Sequence, residues 1–382
     1  MQQRRVLITS NTAWNLANFR GPIIAALTAR GDRVIAIAGE DRSVAGLTQL
    51  GCDVVGLAVD SKGVNPLSDL ALLFRLRRAF AAHRPDVVLN FTIKPVIYGT
   101  LAARSLRIPV INTITGLGTA FIKDTWLTRI VEGLYKLALP GPRPVVFQNS
   151  EDLALFKERR LVTDNPCTIV AGSGIDLQEF RARPLPKRGP VTFLLIARLL
   201  KDKGIAEYVE AAGIVRTYFP QIRFQLLGPL GVANRTAISK AELSNWVVEG
   251  VIEYLGETDD VRPFIKAAHC VVLPSYREGM PRVLLEAAAM GRPLIATNVT
   301  GCRDVVDDGV NGYLCAARDA GNLAFKMRAF LDLSWGERQK MGNASGAIAE
   351  ARFDVRRVVK TYLDLIDAQI VGRVPASGVA RR

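Results

Sequence analysis

The sequence predicts an α/β protein built from two Rossmann-like, doubly wound domains. Three observations carry this expectation. Short apolar runs alternate with helical patterns from the N-terminus onward, the rhythm of a parallel sheet with crossover helices. The rhythm breaks once, at the proline- and arginine-rich stretch RARPLPKRGP, residues 181–190. It then restarts at VTFLLIA and continues almost to the C-terminus, and 382 residues leave room for two domains.

In the first half RRVLITS reads as a strand, SNTAWNLANFRGP as a loop, and residues 23–30 as a helix. DRVIAIAG and DVVGLAV are the next strands. Pro66 opens a long helix, LSDLALLFRLRRAFAAH, at a position where proline is tolerated. DVVLNFT, PVINTIT and VVFQN complete the strands. Runs apolar on both alternating faces suit parallel strands covered on both sides. Loops at the carboxyl ends of such strands line a ligand crevice.

The first such loop lacks G-x-G-x-x-G, so a dinucleotide cofactor is not expected. Asn15, Asn18 and Arg20 stand at the ligand end of the first strand, and Asn18 could equally cap a helix. Lys94 in NFTIKPVIYG suits an acceptor phosphate. Thr115 and Gly116 in NTITGLGTAF occupy the next strand end. His83 and His269 are the two histidines; one ends a helix, the other precedes a strand, and both read as structural.

KDTWLTRIVEGLYKLALP places Leu127, Ile130, Val131, Leu134 and Ala138 at helical spacing, with Trp126 and Tyr135 beside them and Lys123, Arg129 and Lys136 nearby. Such a helix either lies in a membrane interface or packs on the sheet as an ordinary amphipathic helix.

In the second half the strand VTFLLIA is followed by Arg198 and Lys203, on a loop before the helix AEYVEAAGIVRTYF. Two solvated cations would be the plain reading. IRFQLLG and VIEYLG end at Gly228 and Gly256, where the backbone can approach a ligand closely. The most informative run, residues 274–304, is PSYREGMPRVLLEAAAMGRPLIATNVTGCRD. Its helix starts at Pro281, stops at Gly291, and is apolar nearly all round, so it is expected to be buried. It nevertheless carries Glu286, and a buried carboxylate needs a partner. Glu278 precedes the helix, and Gly279, Met280 and Pro281 form a helix start able to seat an anion. One reading is a nucleotide-sugar site in which Glu286 binds ribose hydroxyls and Glu278 the sugar. The other is that Arg282, four residues from each glutamate, pairs with one of them in a purely structural helix. Spacing alone leaves both open.

Composition narrows the classes. A net charge of +14 and pI near 9.8 favour anionic partners. No nucleic-acid motif appears and the basic residues are spread out, so an anionic membrane surface is expected and nucleic acid is not. Five cysteines without metal-ligand spacing read as buried thiols of a reducing compartment. No signal peptide precedes the first strand, and no apolar run approaches the roughly 20 residues of a membrane span. Asp259 with Asp260, and Asp307 with Asp308, read as caps or turns, not as a metal-binding D-x-D, so no metal or other cofactor is expected.

The run LPSYREGMPRVLLEAAAMGRPLIATNVTGCRDVVDDGVNGYLC closely resembles the donor-site motif of glycosyltransferase family 4, retaining enzymes of the GT-B fold, especially those that build bacterial surface polysaccharides. About forty contiguous residues share that texture. The resemblance implies two domains facing a central cleft, and a sugar transferred from a nucleotide donor, with UDP the family's habit and UDP-N-acetylhexosamine an example. The acceptor implied is a polyprenyl-diphosphate-linked sugar at the inner face of the plasma membrane, in exopolysaccharide, capsule or O-antigen synthesis. Arg198 and Lys203 match the family's diphosphate-contacting cations and, with Glu278, are the implied catalytic residues. Gly228, Gly256, Gly279, Met280, Pro281, Arg282 and Glu286 complete the implied donor site, with Gly228 and Gly256 near the base. Asn15, Asn18, Arg20, Lys94, Thr115 and Gly116 are the acceptor candidates. Two departures stand out: the first loop lacks the family's frequent glycines, and no histidine matches the one many members place near the reacting sugar. A GT-B nucleotide-sugar epimerase and a non-catalytic basic membrane-binding protein are the alternatives. The expected domains are residues 1–180 and 181–354, then a helix at 355–372 returning to the first domain and a flexible tail at 373–382.

Overall fold

The computed structural model describes residues 3–59, 65–117, 126–231, 234 and 236–371. Lys123 and the expected tail lie outside them. The chain forms two compact units, Met1–Ser173 with Arg356–Arg382, and Gly174–Val355.

Unit 1 runs β1 (Arg5–Thr12), α1 (Ala13–Ala29), β2 (Arg33–Gly39), α2 (Val44–Gln49), β3 (Asp53–Gly56), α3 (Pro66–His83) and β4 (Val87–Phe91). A π-helical turn, Pro95–Gly99, then leads into α4 (Thr100–Ser105), β5 (Val110–Ile114), α5 (Trp126–Ala138), β6 (Val145–Phe147), α6 (Ser150–Glu158) and β7 (Cys167–Ile169). The sheet order is β3-β2-β1-β4-β5-β6-β7, with every pair parallel. The strand order reverses between β1 and β4, which makes their carboxyl ends the topological switch point. Residues from α3 to α6, with Phe80, Val131, Tyr135 and Phe156 among them, pack on one face of the sheet. On the other face lie α1, α2 and the last helix, α13 (Val355–Val371), through Leu16, Ile24, Leu47, Val358, Tyr362 and Ile366.

Unit 2 runs β8 (Thr192–Ile196), α7 (Ile205–Tyr218), β9 (Arg223–Leu227), α8 (Lys240–Val248), β10 (Glu253–Tyr254), α9 (Arg262–Ala267) and β11 (Cys270–Leu273). It continues through α10 (Arg282–Ala289), β12 (Leu294–Thr297), β13 (Gly312–Cys315), α11 (Ala320–Asp332) and α12 (Trp335–Arg352). Its six strands order β10-β9-β8-β11-β12-β13, again parallel, around Phe193, Phe224, Phe330 and Tyr208.

Helix boundaries follow local chemistry. The side chain of Asn65 accepts from Leu67 and Ser68 N–H groups, Pro66 fills the first turn of α3, and Arg84 ends it at φ 45°. α8 and α12 each begin with a capping box, Ser239 with Glu242 and Ser334 with Glu337.

Two expectations need correction. The loop expected after the first strand is helical from Ala13, with Thr12 as its cap, and Pro22 lies inside the helix. Asparagine and proline signal turns locally, but Ala13, Leu16, Ile23, Ile24 and Leu27 all bury on one side, and that burial outweighs the signal. The basic stretch 181–190, expected to begin the second domain, is exposed at eight of its ten residues but is tied into unit 2 and does not mark the division. Arg183 N–H donates to the Met290 carbonyl, Leu185 is buried, and the wholly buried Arg292 guanidinium donates to the carbonyls of Arg183, Pro184, Ala268 and Met290. The division falls earlier, after Ser173, because Ile175 N–H donates to Phe353 O at 2.8 Å and Val355 N–H to Ile175 O at 3.0 Å, which ties this stretch into unit 2. Among the described residues no helix is long and apolar enough to cross a membrane.

Candidate active site

The candidate donor residues gather at the strand ends of unit 2. After β8, Arg198 is exposed and has no side-chain hydrogen bond or ion pair among the described residues. A 3-10 turn, Lys201–Lys203, follows and ends at Gly204, φ 70°. A Cβ at Gly204 would lie 2.1 Å from the Pro274 carbonyl oxygen, so only glycine lets this turn press against the end of β11. Tyr276 N–H donates to Asp202 O at 3.0 Å and fixes the same approach.

That approach brings Lys203 onto Glu278. The ammonium pairs with Glu278 Oε1, which also accepts from Ser275 Oγ at 2.6 Å. Gly301 seats the turn that follows, since a Cβ there would come within 2.6 Å of Gly279 O. Pro281 is the cap residue of α10 and makes no side-chain cap bond, and the helix start carries the positive end of the helix dipole. Inside α10, Glu286 is 8% exposed and accepts from Arg282 Nε at 2.8 Å. Burial raises its carboxyl above the usual carboxylate range, and Arg282 draws it back. Each glutamate thus has its own cation: Arg282 serves Glu286, and Lys203 serves Glu278. The pairing of Arg282 does not remove Glu286 from a ligand's reach, because a carboxylate accepts several hydrogen bonds.

The two glycines differ. Gly228 N–H donates to Gly256 O at 2.8 Å, and the Gly228 carbonyl accepts from Tyr254 Oη at 2.9 Å. A Cβ on Gly228 would lie 1.8 Å from Ala197 O, whereas one on Gly256 would meet nothing within 4 Å. The close approach that Gly228 permits is therefore to the neighbouring strand. Gly228→Ala is expected to destabilise unit 2 by more than about 2 kcal/mol, because backbone must move, and Gly256→Ala by about 1 kcal/mol, from positive φ alone. Denaturant melts of both variants check this ranking.

In unit 1 two candidates are buried. Arg20 is buried, with its guanidinium 4.3 Å from the Phe91 ring centroid, so it belongs to the interior. Lys94 is also buried: its Nζ donates to Asp69 Oδ1 at 2.7 Å, and Tyr98 Oη donates to Asp69 Oδ2 at 3.0 Å. Its charge is neutralised within the unit, and it does not project as a free cation toward a phosphate. Asn15 Oδ1 accepts from Ser10 Oγ at 2.9 Å, and Asn18 is exposed on α1 and donates to Trp14 O. Thr115 and Gly116 lie half-buried just past β5.

Sequence reasoning passed over Thr9, Asn11, Asn90 and Thr92 at these strand ends. Thr92 holds φ 69°, a costly backbone for a β-branched residue, and its Oγ1 donates to Asn11 Oδ1 at 2.9 Å just before the π-turn. Beneath it Thr9, Asn90 and Asn112 stand in register on β1, β4 and β5, joined by hydrogen bonds of 2.7 and 3.0 Å. The asparagines in VVLNF and VINTI were the available signal. His269 Nδ1 accepts from Thr192 N–H at 3.1 Å; burial, with Arg338 and Arg292 nearby, lowers its pKa to about 4. It is a neutral structural histidine. In unit 2, Tyr276 Oη donates to Glu207 at 2.6 Å while Arg318 covers its ring, a brace under the Glu278 loop that no motif announced. Among the described residues no group of three His, Cys, Asp or Glu could hold a metal ion.

Two Rossmann-like parallel-sheet units, the second with cations and a helix start gathered at its strand ends, define the GT-B fold. Residues 19–171 match the family described as glycosyl transferase 4-like domain, and residues 190–332 match glycosyl transferases group 1; the two matches together span most of the chain, which is a glycosyltransferase. It is 27% identical, over 96% of its length and 99% of the relative's, to the N,N'-diacetylbacillosaminyl-diphospho-undecaprenol alpha-1,3-N-acetylgalactosaminyltransferase of Campylobacter jejuni. It is 24% identical, over 68% and 69% of the two chains, to the UDP-Gal:alpha-D-GlcNAc-diphosphoundecaprenol alpha-1,3-galactosyltransferase of Escherichia coli. In structure it resembles an Anabaena protein crystallised with UDP and glucose, with TM-score 0.76 and 18% identity over 96% of this chain and 100% of that one. A glycosyltransferase from Rickettsia africae gives the same TM-score, 0.76, and the same identity, 18%, over 97% and 99%.

Proposed function

We propose that this chain transfers a sugar from a UDP-sugar, such as UDP-N-acetylhexosamine, to a sugar carried on polyprenyl diphosphate. The anomeric configuration is retained, and the product feeds exopolysaccharide, capsule or O-antigen synthesis at the inner face of the plasma membrane. The observation that carries this reading is the end-to-end similarity to the Campylobacter transferase, whose name specifies a diphospho-undecaprenol acceptor. The cluster of Lys203, Glu278 and the α10 start supports it, because it concentrates positive charge where a departing diphosphate needs it.

In this reading Arg198 and Lys203 hold the donor diphosphate with the first-turn N–H groups of α10. Lys203 exchanges Glu278 for phosphate oxygens as the donor enters, which frees Glu278 for the hydroxyls of the sugar. Glu286 accepts from the ribose. The bond from the anomeric carbon to the diphosphate oxygen breaks, the bond to the acceptor oxygen forms on the same face, and the departing phosphate takes the acceptor proton. The chain's own cations supply the charge compensation, so no metal is required. In unit 1 Asn15, Asn18, Thr115 and Gly116 face the acceptor, joined by Asn11 and Thr92.

A panel of UDP- and GDP-sugars, offered with a polyprenyl-diphosphate-linked sugar, tests the proposal by released nucleotide and by NMR of the product. We expect one UDP-sugar to dominate, the new linkage to keep the donor's anomeric configuration, and EDTA to change the rate less than about twofold. An inverted product would sink retention, and complete loss with chelator would sink metal independence. Isomerised sugar nucleotide formed without acceptor would point instead to an epimerase.

A further inference from the structure

Two helices on one face of the unit 1 sheet are apolar on both of their sides. The inner side of α3, Leu72, Leu76 and Phe80, is buried in the core. Its outer side carries Leu67, 79% exposed, Leu70, and Phe74, 62% exposed, spaced one turn and two turns apart. α5 repeats the pattern. Val131, Tyr135 and Ala138 pack inward, while Trp126, 70% exposed, Ile130 and Leu137 point out. A helix on a soluble surface ordinarily turns polar residues outward, so two exceptions on one face of the sheet, each packed beside the π-turn Pro95–Gly99, ask for something to cover them.

Charge says what covers them. Arg75, Arg77 and Arg78 border the apolar stripe of α3, and Arg129 and Lys136 that of α5. Arg75 and Arg77 donate to neutral oxygens, those of Ala58 and Ser105, so these bonds leave their charge uncompensated. The acidic residues of the two helices face elsewhere: Asp69 is buried against Lys94, and Glu132 pairs with Arg159 on α6's far end. Exposed aromatic and leucine side chains rimmed by arginine and lysine, with no unpaired carboxylate among the described residues of the two helices, match an anionic lipid surface, which accepts apolar side chains at headgroup depth and cations at its phosphates. A protein partner of the same apolar character would not require every rim charge to be positive.

We propose that unit 1 docks on anionic bilayers through the outer faces of α3 and α5 together. The inference rests on the membrane location proposed above and assigns it to a surface, adding α3, whose sequence had read only as a long helix.

Vesicle flotation tests it with the full chain, using vesicles of phosphatidylcholine alone and with phosphatidylglycerol. The wild type should float with the anionic vesicles and release as salt is raised. Phe74→Glu with Trp126→Glu should reduce that binding by about tenfold or more, because each change replaces an inserted ring with a charge. Both side chains are exposed, so the melting temperature should hold, and turnover of a short-chain, water-soluble acceptor should hold with it. Should the double variant melt early, Leu67→Ser with Leu137→Ser gives the same readout more gently. Unchanged binding by stable variants would overturn the surface and leave the membrane location standing. A wild type that ignores both kinds of vesicle would overturn the location itself. A wild-type dimer that the variants split, with no vesicle binding, would make this face a contact between two copies and overturn the proposal as well.

Discussion

Lys203→Ala is expected to lower the rate of sugar transfer by about 10²–10³-fold, the usual cost of removing one preorganised charge from a developing anion. Lys203 is suited to such an effect. It sits on a tight turn that only glycine at 204 permits, and its ammonium is held on Glu278 before any donor arrives. The preorganisation costs little at the moment of reaction, since one oxygen partner is exchanged for another. Arg198→Ala gives the informative comparison. Its side chain is exposed and makes no bond among the described residues, so its loss should leave stability within about 0.5 kcal/mol while still reducing turnover. Steady-state kinetics on both variants, with melts as control, decide the matter. If Lys203→Ala loses stability but transfers sugar within about threefold of wild type, the lysine is a structural partner of Glu278 and the donor site lies elsewhere.

Glu286→Ala should weaken donor binding by about 1.5–3 kcal/mol, roughly one to two powers of ten in Kd, the value of a hydrogen bond to a charged group. The distinction that matters is between binding and folding. Glu286 is buried in α10 and pairs with Arg282, so its removal also breaks this ion pair. A purely structural pair predicts a lower melting temperature with donor Kd unchanged. A ribose-binding carboxylate predicts a weaker Kd even for Glu286→Gln, which keeps the shape and an acceptor oxygen but loses the charge. Calorimetry with UDP, which carries the ribose but no sugar, isolates this contact from Glu278.

The two outcomes bear on how far each reading of the sequence reached. The alternation of buried strands and helices was legible because parallel strands covered on both faces are apolar throughout, and because Asn65, Pro66, Ser239 and Ser334 mark helix starts by local chemistry. The run around Glu278 and Glu286 was legible for the same reason: strand end, turn and helix are contiguous, and their geometry follows from neighbours in the chain. The surroundings of the acceptor-side candidates were less legible. Lys94 and Arg20 stand near strand ends but are buried, against Asp69 and Phe91. Asn11 and Thr92, which do meet at those ends, come from strands distant in sequence and carried no local mark.

By itself, then, the chain's order of residues determined two αβ units, the strand–turn–helix run around Glu278 and Glu286, and a surplus of positive charge. Tertiary structure alone decided which cation each carboxylate keeps, that SNTAWNLANFRGP is helix, that Arg292 ties down the basic stretch 181–190, and that the outer faces of α3 and α5 remain apolar and uncovered. The physical reason is range. Helix starts, turns and strand periodicity arise from interactions a few residues apart, whereas the Lys203–Glu278 pair spans 75 positions and exists only once β8 and β11 lie side by side.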